Sequence, residues 1–293
     1  MRPLSRREFL KASLAVGAAG SVGALPLQGM ARTATDTVTL GKSGMRVTRL
    51  AFGTGSNNGY VQAALGQKEF TRLIHYAYDR GIRFFETAEA YATPAMLGKA
   101  LKGLPRESYQ LMTKVTTDEG ADTHQRFEEM LRTSDTEYFD IMLLHWQHTP
   151  NWVAKTTRWQ DGILQAQSKK IIRTRGASVH GLPALREMPG NKWLEVAMIR
   201  MNHNGTRMDG PIPDDNNPGN IAEVVEHVQQ VKRDGMGVIS MKLVGDGTFT
   251  RHEDRQAAMR FAFQHAGIDC ATVGFKNTRE IDEAIDNLNL ALA

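Results

Sequence analysis

The chain has little cysteine and little excess charge, and each shortage excludes a class of protein. Cys270 is the only cysteine among the 293 residues, so an internal disulfide and a metal cluster held by cysteines are both excluded. The formal net charge is +4, and a basic segment within residues 2–11 supplies most of it. Because the remainder of the chain is nearly neutral, the sequence predicts no nucleic-acid partner.

Strongly apolar runs are also missing near the start of the chain. The mildly apolar stretch from Ala12 to Leu27 is too short and too weak to predict a membrane span. It follows the sequence Ser-Arg-Arg-Glu-Phe-Leu-Lys at residues 5–11, which resembles a twin-arginine export signal. An ordinary basic amphipathic tail is the alternative. Small residues at positions 29 and 31 predict cleavage after Ala31, which makes residues 1–31 a signal peptide and residues 32–293 the mature protein.

Export by this route has consequences for the mature protein. The twin-arginine export machinery is a predicted partner during transport, and the mature form is predicted to be periplasmic and to contact no membrane. The protein would fold before it leaves the cytoplasm, so it can carry a non-covalent cofactor with it. The single cysteine agrees with this route, because folding needs no oxidative step.

After the signal, the pattern alternates between strand and helix to the end of the chain. Residues 38–40 and 45–47, separated by a Gly-Lys-Ser-Gly turn, predict a short N-terminal β-hairpin. Eight strand-and-helix units follow with no composition shift that would mark a domain boundary. This count predicts an α/β fold, a closed (β/α)₈ TIM barrel, over an open doubly wound sheet. The predicted strands are residues 50–53, 83–87, 109–114, 139–145, 173–179, 195–201, 237–243 and 270–275.

Four side chains with acid–base chemistry fall at or just beyond the ends of three successive predicted strands. Glu86, Lys114 and His145 lie at strand ends, and Tyr91 lies in the loop that follows the first of them. A lysine ammonium near a tyrosine favours the phenolate and lowers the pKa of the phenol, and a carboxylate can hold that lysine in place. His145 can orient a substrate carbonyl by hydrogen bonding. The set predicts protonation of a carbonyl oxygen while a hydride arrives from elsewhere.

Each member of the set also has an ordinary structural interpretation. Tyr91 can be a packing residue, Lys114 a solvated strand end and His145 a satisfied structural histidine. A lysine on a barrel strand can also form a Schiff base, as in a lyase, but that chemistry leaves Tyr91 and His145 unexplained.

The strings around these residues resemble those of aldo-keto reductases. Thr-Lys-Val at Lys114, Leu-Leu-His-Trp at His145 and Glu-Thr-Ala-Glu-Ala-Tyr at residues 86–91 match that family, except for Glu86, where the family has aspartate. The resemblance implies a barrel that binds NADP or NAD and reduces a small-molecule aldehyde or ketone. It assigns Tyr91 as proton donor, Lys114 and the carboxylate as the pair that tunes it, and His145 as the orienting group.

The same resemblance implies a set of cofactor-binding residues near the ends of other strands. Gly274 allows close approach of the backbone, Lys276 adds a charge for a phosphate, and the helix that starts after Thr278 offers free N–H groups. No metal ligands are predicted. The full predicted set is Gly53, Thr54, Ser178, Asn202, Lys242, Gly274, Lys276, Asn277, Thr278 and Glu283.

Departures from the family pattern leave two choices open: NADP or NAD as the cofactor, and a reductase or a regulatory barrel as the function. Val179 replaces the asparagine that usually contacts the nicotinamide, and Asp282 stands where many members place an arginine against the 2′-phosphate of NADP. Lys276 argues for that phosphate, so NADP is favoured and NAD stays possible. The alternative function is a cofactor-binding regulatory or sensor barrel with little or no turnover. Residues predicted to line the substrate pocket are Trp146, Tyr60 and Trp152, with barrel-periphery packing as the alternative for Trp152.

Overall fold

The structure is a computed structural model that describes residues 32–213 and 218–293, so the predicted signal peptide lies outside the described residues. The described part of the chain begins with two short antiparallel strands, β1 (Thr37–Thr39) and β2 (Arg46–Thr48), which confirm the predicted hairpin. Gly41 in the turn has φ of +51° and lies against the backbone of Gly235 and Met236, where a Cβ atom would collide. The hairpin is thereby joined to the rest of the fold.

Eight parallel strands close into a barrel, as the count of strand-and-helix units predicted. The order around the barrel is β10-β3-β4-β5-β6-β7-β8-β9, with β10 paired to both β9 and β3. Sequential strands are therefore neighbours, and their C-terminal ends share one face. The strands are β3 (Leu50–Gly53), β4 (Phe84–Glu86), β5 (Gln110–Val115), β6 (Phe139–Gln147), β7 (Ile172–Val179), β8 (Val196–Arg200), β9 (Gly237–Met241) and β10 (Cys270–Gly274).

Helices surround the barrel, and their apolar stripes pack on the strands. Three of the helices begin at a side-chain cap: Asp122, Asn220 and Asn277 each accept a hydrogen bond from the backbone three residues on. The helices are α1 (Tyr60–Ala63), α2 (Gly66–Asp79), α3 (Pro94–Leu101), α4 (Thr123–Thr133), α5 (Trp152–Lys155), α6 (Thr157–Ser168), α7 (Leu182–Leu185), α8 (Ile221–Arg233), α9 (His252–Arg260), which continues as a π-helical turn (Phe261–Ala266), and α10 (Thr278–Leu292).

The barrel interior is filled by apolar side chains below the strand ends. Phe84, Ile141, Val196 and Cys270 are all fully buried and pack together there with Leu40 of the hairpin. A filled interior closed by the hairpin leaves the opposite end, at the C-termini of the strands, as the place where a ligand can enter.

A buried carboxylate joins β6 to its neighbours, and this contact gives a stability prediction. Asp140 is 1% exposed; it accepts hydrogen bonds from Arg106 at 2.8 Å, Arg173 at 3.0 Å and the Leu111 N–H at 2.9 Å. Asp140→Asn is expected to lower the free energy of unfolding by about 2–3 kcal/mol, because it weakens charge-assisted bonds and places an amide donor against arginines. Urea unfolding measures the change.

The matched control for this prediction is Asp135→Asn, since Asp135 is exposed and its one ion pair, to Lys102, is 3.5 Å long. That variant is expected to change the free energy of unfolding by less than about 0.5 kcal/mol. Equal losses in the two variants would contradict the role given to Asp140.

Candidate active site

The carboxyl ends of β4, β5 and β6 bring the predicted acid–base residues together. Glu86 is the last residue of β4, Lys114 lies near the end of β5 and His145 near the end of β6. The loop after β4 turns back at Tyr91, whose N–H donates to the Ala88 carbonyl. Because these strands are parallel neighbours, the four side chains open onto one end of the barrel.

Lys114 is the hub of this group. Its Nζ donates to the Glu86 carboxylate, to the Tyr91 hydroxyl at 3.1 Å and to the Thr87 carbonyl at 3.1 Å. Both members of the ion pair are buried, with Lys114 1% and Glu86 3% exposed. Three contacts match the three donors of an ammonium group, so the amine is fixed with one donor directed at the tyrosine.

The Glu86 side chain, one methylene longer than that of an aspartate, reaches Lys114 in this fold. Glu86 pairs in register with Gly53 on β3. A Cβ atom at Gly53 would lie 2.7 Å from Thr272 Cγ2 and 3.1 Å from Glu86 Oε2. The glycine therefore leaves the space that the longer carboxylate occupies.

Burial sets the charge states of the site. It lowers the pKa of Lys114 well below its usual range, and the positive charge of Lys242 lowers it further; contact with Glu86 opposes this shift by favouring the ammonium. Burial also raises the pKa of Tyr91, with a further rise from the negative charge of Asp246. The sequence-based expectation of a lowered pKa for Tyr91 is therefore wrong for this structure, and the phenol is protonated at neutral pH.

His145 lies against Tyr91, with the two ring centroids 5.5 Å apart and the rings at 81°. Burial lowers the pKa of His145 well below its usual range, and the charges of Lys114 and His180 lower it further. The imidazole is neutral at pH 7, so it keeps one N–H that can donate to a carbonyl oxygen.

This shift predicts the pH dependence of stability. The unfolded chain binds a proton at His145 below about pH 6.5 while the folded chain does not, so stability falls as the pH drops below that value. The free energy of unfolding is expected to fall less between pH 7.5 and 5.5 in His145→Gln than in the wild type, by about 1 kcal/mol. Urea unfolding at the two pH values measures both slopes; parallel slopes would show that His145 titrates normally.

A register shift near the end of β6 sets the orientation of the His145 and Trp146 side chains. The register between β6 and β7 shifts between Leu144 and Gln147, and Trp146 has φ of +54°. A positive φ is a strained conformation for a bulky residue, and such strain is found most often at functional sites. The result is a tryptophan that is 46% exposed beside the acid–base group and stacked 4.3 Å from the His148 ring.

A cavity of about 1210 Å³ opens at this end of the barrel. Its wall runs from the acid–base group across the barrel to the end of β10 and the first turns of α10. Many of the predicted site residues line it, among them Gly53, Glu86, Tyr91, His145, Trp146, Lys242, Gly274, Lys276 and Glu283.

The other predicted cofactor residues lie outside this lining. The Thr54 hydroxyl contacts the Glu86 carbonyl at 2.9 Å, behind the site. The Ser178 hydroxyl contacts Met241 Sδ at 3.8 Å. The Asn202 amide donates to the Thr206 carbonyl at 2.6 Å and to the Lys242 carbonyl at 3.2 Å. It therefore holds the loop after β8 against the loop after β9. Asn277 caps α10, and Thr278 is the first residue of that helix.

Two of the predicted substrate-pocket residues also lie elsewhere. Trp152 is 1% exposed, and its Nε1 donates to the Ala184 carbonyl at 3.0 Å, so it packs among the helices. The prediction that Trp152 lines the substrate pocket is therefore wrong, and the alternative, packing at the periphery of the barrel, is what the structure shows. Tyr60 is 64% exposed at the start of α1 and lies outside the cavity lining.

Asp282 does not line the cavity, so its carboxylate would not repel a phosphate group bound there. Its carboxylate accepts from the Tyr76 hydroxyl at 2.7 Å and pairs with Arg80 at 2.8 Å, both at the C-terminal part of α2. The face of α10 that does meet the cavity carries Arg279. A basic residue in the first turn of a helix opposes the helix dipole, and this signal could have identified Arg279 from the sequence as an anion-binding candidate.

Buried polar atoms along the wall support a polar ligand in the same part of the cavity. Within the described residues, Gln62 Oε1, Thr272 Oγ1 and Asn287 Oδ1 are buried without a hydrogen-bond partner, and all three residues line the cavity. A Cβ atom at Gly274 would lie 2.9 Å from Gln62 Nε2. Buried polar groups are normally satisfied, so these atoms fit the contacts of a bound polar molecule.

Within residues 32–213 and 218–293, no group of three or more His, Cys, Asp or Glu side chains could hold a metal ion. No helix in that part of the chain is long and apolar enough to cross a bilayer.

The chain matches two models of known protein families. Residues 49–266 match the Aldo/keto reductase family, which covers most of the barrel. Residues 3–23 match the TAT (twin-arginine translocation) pathway signal sequence, which indicates export across the cytoplasmic membrane.

Individual relatives agree in fold but are distant in sequence. The Glycine max protein named "Probable aldo-keto reductase 1" is 35% identical over 155 residues, which are 48% of this chain and 45% of that protein. The match thus spans about half the length of this curated relative. An aldo-keto reductase from Klebsiella pneumoniae, solved in complex with NADPH, has a TM-score of 0.67 at 17% identity and covers 88% of this chain and 91% of its own. A holo-form aldo-keto reductase from Bacillus halodurans has a TM-score of 0.68 at 16% identity, with coverage of 86% and 90%.

Proposed function

The chain belongs to the aldo/keto reductase family, and from that premise we propose that it is an NADPH-dependent reductase of small aldehydes or ketones. The observation that carries the proposal is the position of Lys114, which joins the Glu86 carboxylate to the Tyr91 hydroxyl. This group lies beside a neutral His145 on the wall of a cavity large enough for a dinucleotide and a small substrate.

The residues present fit a phosphate-bearing nucleotide. Lys276 and Arg279 would hold phosphate groups, Gly274 would allow the nucleotide close to the backbone, and Gln62 and Asn287 would satisfy their buried oxygens on it. When bound, the nucleotide supplies the hydride. Solved neighbours from Klebsiella pneumoniae and Bombyx mori carry NADPH or NADP, which supports the same cofactor here.

His145 and Tyr91 would both act on the carbonyl oxygen of the substrate. His145 donates a hydrogen bond that positions the carbonyl, and Tyr91 donates the proton as the oxygen gains charge. Lys114 then stabilises the phenolate through its 3.1 Å contact. Glu86 holds Lys114 in that position. Burial of the pair excludes water, which strengthens each of these interactions.

The export signal supports a location outside the cytoplasmic membrane for this chemistry. We infer that the signal peptide comprises residues 1–31, that residues 32–293 form the mature barrel, and that the mature protein is periplasmic after transport by the twin-arginine machinery. Mass spectrometry of the exported protein tests the cleavage position. A mature N-terminus other than residue 32 would correct it.

Fluorescence titration of nucleotide-free mature protein with NADPH and NADH tests the cofactor assignment. NADPH is expected to bind more tightly, and Arg279→Ala is expected to weaken NADPH binding by about 10-fold or more, because a charge-assisted bond to phosphate is lost. Asp282→Asn is the matched control, because Asp282 contacts Tyr76 and Arg80 and does not line the cavity; it is expected to change neither affinity. Failure of both nucleotides to bind at millimolar concentration would contradict the reductase assignment and favour a different function for the barrel.

A further inference from the structure

The loop that follows β9, residues 242–250, has a fixed shape over the cavity, and we call it the β9 loop. Lys242 Nζ pairs with Asp246 Oδ2 at 3.0 Å, and Thr248 Oγ1 donates to the Gly245 carbonyl at 2.8 Å. Short backbone hydrogen bonds within residues 242–249 close its turns. The loop residues on the cavity wall are Lys242, Val244, Asp246, Gly247, Phe249 and Thr250.

Arg255 of α9 fastens this loop to α10. Its Nη1 donates to the Phe249 carbonyl at 3.0 Å and the Thr250 carbonyl at 2.8 Å. Its Nε and Nη2 donate to the Glu283 carboxylate at 2.5 and 2.9 Å. These four bonds, which we call the Arg255 clasp, join the loop to the helix that also carries Arg279. The other end of the loop is held by Asn202, which donates to the Lys242 carbonyl.

A ligand between the β9 loop and α10 would leave slowly. Its release by that route requires the loop to move, and loop movement requires the Arg255 clasp to break. The opposite side of the cavity is different, because Trp146, Asn57 and Asn58 on its wall are exposed. Small molecules can therefore exchange beside Tyr91 while the β9 loop stays closed.

Export adds a chemical requirement to this geometry. The twin-arginine signal indicates passage across the cytoplasmic membrane, and a protein that crosses it folded keeps whatever its closed loop encloses. Beyond that membrane the cytoplasmic enzymes that reduce free nucleotides are absent. A retained nucleotide can then be used repeatedly only if one substrate of this enzyme reduces the nucleotide that another substrate has oxidised.

We propose that the protein holds its nicotinamide nucleotide behind the Arg255 clasp as a prosthetic group and transfers hydride between two substrates, an alcohol and a carbonyl compound, at one site. In the first half, the alcohol loses a hydride from carbon to the nucleotide and a proton from oxygen to the Tyr91 phenolate, and leaves as a carbonyl. In the second half, another carbonyl takes that hydride on carbon and that proton on oxygen. The sum is one alcohol oxidised and one carbonyl reduced, with no free nucleotide consumed. This inference rests on the proposed function.

The first test measures retention, with no assay of activity. The full-length chain is expressed with its signal, and the exported protein is dialysed exhaustively, denatured and analysed for released nucleotide by mass spectrometry. About one nucleotide per chain is expected in the wild type and a loss of at least 10-fold in Arg255→Ala. Arg251→Ala is the matched control: Arg251 lies one turn away, is exposed, and pairs with Asp254 of its own helix. It is expected to retain the nucleotide.

Wild-type protein that emerges without nucleotide, or an Arg255→Ala variant that retains it as well as Arg251→Ala does, would overturn retention by the clasp. Circular dichroism and urea unfolding of both variants separate loss of nucleotide from loss of fold. If Arg255→Ala does not fold, the dissociation rate of nucleotide from the wild type decides: a half-life of hours supports retention and one of seconds overturns it.

The second test follows hydride transfer directly. The exported protein is incubated with benzyl alcohol deuterated at carbon and with 4-nitrobenzaldehyde, without added nucleotide. Deuterium in the 4-nitrobenzyl alcohol product is expected. Transfer that appears only after NADP is added would overturn this inference and leave the proposed function standing. No transfer under either condition, together with no reduction of the aldehyde by added NADPH, would overturn both.

Discussion

Replacing Tyr91 by Phe is expected to lower kcat for reduction of 4-nitrobenzaldehyde by about 10²- to 10⁴-fold, the usual contribution of a positioned proton donor. The ring of Tyr91 is retained by this change, and so is its packing 5.5 Å from His145. Lys114 keeps its contacts with Glu86 and the Thr87 carbonyl, so the fold is expected to stay intact. Single-turnover kinetics on nucleotide-free protein loaded with NADPH measures the loss in the chemical step.

Nucleotide binding separates this loss from a general defect. Tyr91→Phe is expected to bind NADPH within about 3-fold of the wild type, because Lys276 and Arg279 would contribute the phosphate contacts at the far part of the cavity. Tyr76→Phe is a control, since the Tyr76 hydroxyl bonds to Asp282 on the outer side of α10. Unchanged kcat in Tyr91→Phe would show that another group donates the proton.

Replacing Lys114 by Met is expected to damage both activity and stability. Removal of the ammonium leaves the Glu86 carboxylate, 3% exposed, without its partner, and breaking a buried ion pair in this way costs about 3–5 kcal/mol. The rate is expected to fall by about 10²-fold or more, because the phenolate formed at Tyr91 loses its stabilising charge. Urea unfolding and steady-state kinetics measure the two effects.

A double variant separates these two roles of Lys114. Combining Lys114→Met with Glu86→Gln removes the uncompensated charge, so most of the lost stability is expected to return while the rate stays low. Lys102→Met is the exposed control, with 76% of its side chain accessible. A double variant that regains activity would contradict the role of Lys114 in catalysis.

The parts of this site that the sequence predicted are those set by local pattern. Glu86, Lys114 and His145 end apolar runs that were predicted as successive strands of a barrel, and their meeting at one face follows once those strands are parallel neighbours. The hairpin follows in the same way from a glycine-rich turn between two short alternating segments. Neither inference depends on contacts between distant parts of the chain.

The parts that the sequence missed depend on such distant contacts. The pKa of Tyr91 is raised because of burial and because Asp246, more than 150 positions along the chain, comes near it. Asp282 and Arg279 lie three residues apart on α10, and only packing decides that Asp282 contacts Tyr76 and Arg80 while Arg279 meets the cavity. Trp152, which the sequence predicted for the pocket, lies on a four-residue helix that buries it in the outer shell.

The most direct test of the account is a single turnover in which nucleotide-free protein, loaded with NADPH that carries deuterium at both C4 positions, reduces 4-nitrobenzaldehyde, with the wild type compared to Tyr91→Phe. One deuterium on the benzylic carbon of each product molecule is expected with the wild type, at a rate at least 10²-fold above that of the variant. A mature protein that binds NADPH and yields no deuterated alcohol would contradict the central claim that this cavity is the site of carbonyl reduction.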